Sequence, residues 1–581
     1  MKLILRYVKR YRTQAALAPA LKLLEALMDL LVPLIVASII DRGIYAENSG
    51  YVWRMFLLLI AFGLTGMLFS FAAQWFAARA SVGAAADIRQ ALFDHIQSLS
   101  YTELDTAGAD TLITRMTSDV NQVQNGLNLA LRLLLRSPFI VLGAMLMAFT
   151  IDVKSALIFA ATLPVLSLIV FGIMTKSIPL FTKAQAALDK LLGKTRENLG
   201  GVRVIRAFCK EQDEIAEFDD ANESVNRLNV LVGRLNALMN PATYLIINAF
   251  TVLLIYVGSR RVDGGAILQG DLVALYNYMA QIVVELIKLA SLIISINKAL
   301  ACAKRLDGAF AVQSSMTYPE EMQTADKSQA AVRFDDVSFS YQGSAARALE
   351  NITFSAAPGQ TVGVIGGTGS GKTTLISLIA RFYDVSVGRA LLFGKDIGSY
   401  ARSQLTDMIG VVPQSALLFH GTVRDNLKWG NADASDEELY RALETAQALE
   451  IVEDKPGKLD YEIEQGGRNL SGGQRQRLTI ARALVKKPSI LILDDSASAL
   501  DFATDLKLRR AISAMKGAMT VFIVSQRAAS VKECDRILVL NDGCLAGSGK
   551  HEELLKNCAV YQEIYYSQFP EERPMGEVSA Q

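Results

Sequence analysis

The run Gly366-Gly367-Thr368-Gly369-Ser370-Gly371-Lys372-Thr373 fits the pattern G-x-x-x-x-G-K-[ST]. Glycines let a backbone bend so that its N–H groups curl around phosphate oxygens. A helix that starts at such a loop adds positive potential. Lys372 would contact the β and γ phosphates, the Thr373 hydroxyl would ligate Mg²⁺, and Thr374 would open the helix. The pattern needs a strand before it and a helix after it. Here the apolar run Thr361–Ile365 precedes it and the helical stretch Thr374–Arg381 follows. The chemistry expected is the binding of a magnesium nucleoside triphosphate.

A second motif, Leu470-Ser471-Gly472-Gly473-Gln474-Arg475-Gln476-Arg477, precedes a helix, and the apolar strand Ile490–Leu493 then ends in Asp494-Asp495. Asp494 would hold the Mg²⁺ shell. With the phosphate loop upstream and the Asp strand downstream, the chain resembles the ATP-binding cassette (ABC) transporters over about residues 1–570. The resemblance implies roles for further residues. Tyr341, in Phe339-Ser340-Tyr341, would stack on adenine, although a strand-edge aromatic is the other reading. Gln414, in Val412-Pro413-Gln414, would touch Mg²⁺ and couple to the membrane helices. Ser498-Ala499-Leu500-Asp501 matches the D-loop, and Tyr101–Asp119 and Ala207–Phe218 match the two coupling segments. In this family two cassettes sandwich ATP head to tail. Leu470, Ser471, Gly472, Gly473 and Gln474 would serve the partner's nucleotide, and the chain's own phosphate loop would need the partner's signature.

Two positions depart from the family pattern. Most members carry Glu after the metal-binding Asp, where it polarises the attacking water; this chain has Asp495. One methylene less draws the carboxylate back by about 1 Å, a displacement that can cost ~10²-fold in rate. The switch position, usually His, is Gln526, which hydrogen-bonds but carries no charge. Gln465 also replaces the Glu common before the signature in homodimeric members. A homodimer would have two good signatures and no good base. The coherent reading is a heterodimer: a second half-transporter supplies Glu and His, and this chain supplies its signature to that competent site. The resemblance here is to the impaired subunit of bacterial heterodimeric multidrug-type exporters.

These residues need a cassette to hold them and a membrane part to drive. The chain has 581 residues, 51% hydrophobic and 20% charged, with net charge +1. That excludes a disordered chain, a disulfide scaffold and a strongly basic nucleic-acid binder. The five cysteines show no metal or redox spacing. Residues 1–310 hold the uncharged runs Met55–Ala78, Ser155–Thr175 and Ala237–Ser259. Three less clean runs, Ala15–Ile40, Ser137–Ile151 and Leu272–Ile296, make six candidate spans. Six helices filling this part average ~50 residues, or ~75 Å, and should project well into the cytoplasm. Lys2, Arg6, Lys9, Arg10 and Arg12 put the N-terminus inside; Arg260 and Arg261, on the proposed outside, run against the positive-inside bias. Residues 311–330 read as a polar linker. From 331 to 570, short β-rich runs alternate with helices, as in an α/β domain with a parallel sheet. Residues 571–581 read as a disordered tail. The fold class expected is an all-α six-helix transmembrane domain followed by an α/β P-loop nucleotide-binding domain, as in a type IV exporter half-transporter.

A charge within a span costs at least ~2.5 kcal/mol at mid-bilayer. Asp29 in the first span and Glu285 in the sixth are therefore candidates to line a cavity that attracts cationic amphipathic compounds. Glu285 has the alternative of pairing with Lys288, and Lys22 and Glu25 read as snorkelling or paired. The whole is expected in a bacterial cell membrane, with ATP and Mg²⁺ as cofactors and its cassette in the cytoplasm. The transported compound is a small molecule, a lipid or a peptide; no nucleic acid is involved. A regulatory or channel-like ABC protein and a homodimeric exporter stand as alternatives.

Overall fold

The computed structural model describes residues 2–344, 346–496, 500–515, 517 and 519–573. Two compact units emerge: Met1–His95 with Asp110–Ala311, and Ile96–Ala109 with Val312–Gln581.

Among the described residues, six helices are long and apolar enough to cross a membrane. They are Leu5–Ile44, Ser49–Ser98, Ala109–Ile151, Val153–Ala207, Glu211–Asp263 and Gln269–Ala311. They run from 40 to 55 residues, much longer than the ~20 a bilayer needs, as the chain's length anticipates. Lipid tails give helices no hydrophobic reason to associate, so small residues at the contacts matter. Ala26, Ala37, Ala144 and Ala148 are buried in the core between the first, third and sixth helices. There the Tyr278 hydroxyl donates to Leu30 O at 2.6 Å, and the Gly270 N–H donates to Asp41 at 2.8 Å. The apolar stretch of Ser49–Ser98 has no buried residue. It carries Trp53 and Trp75, 65% and 54% exposed, and the Arg79 guanidinium lies 5.2 Å from the Trp75 ring. Arg261 breaks the charge bias for a local reason. It bonds Asp152, which caps Val153–Ala207 by accepting from the Ser155 N–H at 2.9 Å.

The second unit is built on a six-stranded sheet. Its order is Cys544–Gly549, Arg536–Asn541, Thr361–Gly366, Thr520–Val524, Ile490–Asp494, Ile409–Val412. Neighbours are parallel except for the antiparallel edge strand Cys544–Gly549. Thr361–Gly366, Ile490–Asp494 and Thr520–Val524 are buried throughout, which is why they read as unbroken apolar runs rather than alternating ones. An antiparallel sheet of Leu349–Ala356, Val332–Phe339, Val387–Leu392 and Lys395–Asp396 makes the second layer.

Between Ala311 and Val332 the chain forms no helix or strand, yet it is held down. The Arg381 guanidinium donates to Thr317 O at 2.9 Å and lies 4.5 Å from the Tyr318 ring. The proposed tail begins inside structure, since Pro570–Glu572 is a helical turn whose Glu572 accepts from the Tyr565 hydroxyl at 2.5 Å. Its remainder from 574 lies outside the described residues.

Candidate functional site

Strand register brings the site together. Val524 pairs with Val364 on one side and Asp494 on the other. The loops leaving these three parallel strands therefore open on the same C-terminal edge, where α/β sheets place ligands. Those loops are the phosphate loop, Asp495 and the Ser525-Gln526 turn.

The phosphate loop leads into helix Lys372–Ile379, which starts two residues earlier than the sequence suggested. Gly369 and Gly371 have φ of +80° and +95°, a region that disfavours a side chain. The tip, Gly367, Thr368 and Gly369, is exposed, while Ser370 and Lys372 are buried. The Lys372 ammonium donates to Gly366 O at 3.0 Å and Gly367 O at 2.6 Å. Burial pushes Lys372 below the usual lysine range, and Asp495 and Asp494 act against it. The Thr373 hydroxyl lies 3.5 Å from the Asp494 carboxylate. Burial raises Asp494, and neighbouring Asp495 adds to the rise. A buried ammonium with only carbonyl and hydroxyl acceptors, beside an all-oxygen pair, fits triphosphate oxygens and Mg²⁺. Thr373 and Asp494 would hold the ion.

Tyr341 is 37% exposed and lines a cavity of about 430 Å³ with Gly369, Lys372, Thr373 and Thr374. Its hydroxyl is 3.0 Å from the Thr374 hydroxyl, and its ring meets Phe339 and Tyr383 edge-on at 4.9 and 5.4 Å. Tyr383 went unread in the sequence. Its hydroxyl donates to Asp105 at 2.5 Å, so one ring touches both the proposed adenine platform and the segment Tyr101–Ala107. Its only sequence signal was a pair of aromatics, Phe382-Tyr383, just after the phosphate-loop helix.

The Gln414 amide donates to the Asp495 carboxylate at 3.4 Å. Asp495 has φ +42°, a left-handed backbone that Asp tolerates better than most side chains. Burial raises its carboxyl, and the charge of Arg527 works against that. The Gln526 side chain is exposed. Its backbone is clamped by Gln568, which donates to Gln526 O and accepts from the Ala528 N–H, both at 2.8 Å. Residues this far apart in sequence offered no local signal of the clamp.

Ser471 is the N-cap of helix Gly472–Val485, and with Gln474 it forms a capping box. The Gln474 N–H donates to Ser471 Oγ at 3.3 Å, and the Ser471 N–H donates to Gln474 Oε1 at 3.0 Å. Those bonds occupy an acceptor lone pair of the hydroxyl and leave its O–H as a donor. Ser471 and Gly472 are exposed at a helix N-terminus, a position suited to an anion. No bond joins this capping box to the chain's own phosphate loop among the described residues. Asp501 caps Phe502–Ser513 by accepting from the Thr504 N–H at 2.9 Å. Ser498 and Ala499 of the same stretch lie outside the described residues.

In the membrane unit, Asp29 and Glu285 share a partner that the sequence did not reveal. Arg136 donates to Asp29 at 2.9 Å and to Glu285 at 2.8 Å. Glu285 also accepts from Ser137 at 2.7 Å and, as the spacing allowed, from Lys288 at 3.0 Å. Lys22 is buried on Glu25 and Ser70. Asp29 and Glu285 do line one cavity of the membrane unit, and each also has a cationic partner within the chain, Glu285 pairing with Lys288 as the alternative reading had it.

Residues 16–286 match the family described as ABC transporter transmembrane region, and residues 349–498 the family described as ABC transporter. The chain is similar to the ABC transporter ATP-binding protein YfiB of Bacillus subtilis, 36% identical over 98% of this chain and 99% of that one. It is similar also to Rv1273c of Mycobacterium tuberculosis, described in the same words, 34% identical over 98% of both chains. Among solved structures it is similar to a bacterial Atm1-family ABC exporter with ATP bound. The TM-score is 0.78 and the identity 24%, over 98% of this chain and 99% of that one, a likeness of fold.

Proposed function

Because the chain belongs to the ABC transporters, ATP-driven proteins of multi-pass membrane architecture, we propose that it is one half of a heterodimeric exporter whose own nucleotide site is impaired. The observation that carries this reading is a contrast between two parts of one cassette. Ser471 presents an O–H free to donate at the exposed start of helix Gly472–Val485, a position suited to a partner's γ-phosphate. The chain's own site has a shortened carboxylate, Asp495, and an uncharged switch side chain, Gln526.

In this reading Tyr341 supports the adenine, and Gly366–Thr374 and Lys372 hold the phosphates. Thr373, Gln414 and Asp494 would hold Mg²⁺, which would supply positive charge against the developing charge on the phosphates. Asp495 is placed to orient water but falls short of the position a Glu would reach. ATP is held here longer than it is hydrolysed, and turnover occurs at the partner's site, capped by Ser471. Closure of the two cassettes on ATP drives the six helices to export a small molecule, lipid or peptide from the cytoplasm. The direction of transport is supported by the fold shared with the Atm1-family exporter.

The test is ATPase activity of the purified chain, alone and with any half-transporter encoded in a neighbouring reading frame. Near-zero turnover alone and robust turnover with the neighbour are expected. Robust turnover alone would favour the homodimer, and nucleotide binding without turnover in either preparation would favour the regulatory alternative.

A further inference from the structure

The turn that follows strand Thr520–Val524 is fixed at both of its ends. At the front the Ser525 N–H donates to Val364 O at 3.1 Å, so the sheet ladder runs one residue past the strand and Gln526 comes next. At the back the Arg509 guanidinium donates to Ala529 O at 2.9 Å and is itself paired with Asp505 at 3.1 Å. Between these anchors one side chain reaches the backbone at two points. Gln568 donates to Gln526 O and accepts from the Ala528 N–H, both at 2.8 Å.

The two bonds fall on successive peptide units, one that leaves Gln526 and one that enters Ala528. Each unit is planar, so holding both fixes the dihedrals of Arg527 between them. With Ser525 already held by the sheet, the direction in which the Gln526 side chain leaves the turn is set. A carboxamide suits this task, because it donates to a carbonyl and accepts from an N–H at once. Gln568 is exposed, so packing does not call for it. Its helix, Ala559–Gln568, is anchored without it. Tyr561 and Tyr565 are fully buried. The Tyr561 hydroxyl lies 2.8 Å from His551 Nδ1, and the Tyr565 hydroxyl donates to Glu572 at 2.5 Å and accepts from Lys532 at 3.1 Å. The amide therefore projects from a fixed base onto the turn that carries the exposed Gln526 side chain.

We propose that Gln568 is a positioning residue for the γ-phosphate contact of Gln526, which makes the helix Ala559–Gln568 a working part of this chain's nucleotide site. The inference rests on the reading of Gln526 as the switch and deepens it. Gln568 sets the backbone from which the Gln526 amide reaches the third phosphate. ADP lacks that phosphate, so the effect of Gln568 is confined to the triphosphate.

The test is equilibrium binding of radiolabelled adenylyl imidodiphosphate and of ADP, each with Mg²⁺, to the purified full-length chain. The first probe is not cleaved at its third phosphate, so the result does not depend on whether the chain turns over alone. The readout is the ratio of the two affinities. Gln526→Ala should lower it about tenfold, the yield of one hydrogen bond to a charged group. Gln568→Met should lower it about fivefold with ADP affinity unchanged, which shows the site still folded. Gln568→Glu fills nearly the same space and sets a carboxylate against Gln526 O; it should lower the ratio too, which separates loss of the bond from loss of packing. In the Gln526→Ala background Gln568→Met should lower it no further, because two residues acting through one contact are not additive. Equal drops in both backgrounds would overturn the proposal and leave the switch reading standing. So would an unchanged ratio in both Gln568 variants while Gln526→Ala lowers it. An unchanged ratio in Gln526→Ala would overturn both.

Discussion

Restoring Glu and His to this chain's own site is the sharpest test of the impairment proposed for it. The perturbation is Asp495→Glu with Gln526→His, made in a pair whose partner has lost its own base by a Glu→Gln change. Only this chain's site can then respond. The added methylene carries the carboxylate about 1 Å further from the backbone, beyond its present 3.4 Å contact with Gln414. Recovering a misplacement of that order is worth about 10²-fold, or ~2.7 kcal/mol of barrier. A structural cost opposes it. Position 495 has φ +42°, where a longer side chain loses the tolerance Asp enjoys, about 1 kcal/mol. The cassette should therefore melt about 2–4 °C lower while its turnover rises. The assay is phosphate release at saturating MgATP, beside a melting curve of the same preparation. A rise of less than about threefold with nucleotide binding intact and the partner's signature unbroken would refute the reasoning. Asp495 and Gln526 would then not be what limits the site.

Further outcomes are expected. Ser471→Ala removes the outward O–H and the helix cap together; turnover of the pair should nearly vanish while stability falls by about 1 kcal/mol, and Ser471→Thr should restore much of both. Burial raises Asp494 and Asp495 above their ordinary value of 3.8, so folding favours their protonated forms. The stability this contributes is full below pH 3.8 and is lost as pH rises through the raised values. Mg²⁺-dependent nucleotide affinity, which needs Asp494 ionised, should strengthen over that same rise, measurable by titration at stepped pH. Tyr383→Phe deletes the 2.5 Å bond to Asp105, and hydrogen exchange in Tyr101–Ala107 should speed up while ATP affinity at Tyr341 changes little.

Much of this architecture is legible without coordinates because its strongest signals are local. An uncharged run such as Met55–Ala78 can be satisfied only in lipid or a deep core, and a glycine loop between an apolar strand and a helix has few uses. What stays hidden depends on packing. Arg136 reaches Glu285 across 149 positions and Asp29 across 107, and nothing in the intervening sequence says that three helices converge there. Gln568 clamps the switch turn because its helix folds back onto the sheet. At Ser471 the signal was local but went unread, since Ser471-x-x-Gln474 ahead of a helix is the spacing of a capping box.

The helix Ser49–Ser98 carries its own depth gauge. Trp53 and Trp75 lie about 33 Å apart along its axis at ~1.5 Å per residue, close to the ~30 Å thickness of a hydrocarbon core. Both rings are exposed, and indoles settle at the water–lipid boundary. With a headgroup anchor at each end, the helix resists sliding along the bilayer normal. Any conformational cycle must then tilt this helix about a fixed height, as a rocker on a pivot rather than a piston. Membrane thickness becomes a control on speed. In vesicles of graded acyl length, transport should be fastest where the bilayer matches the Trp spacing and should slow on either side of it.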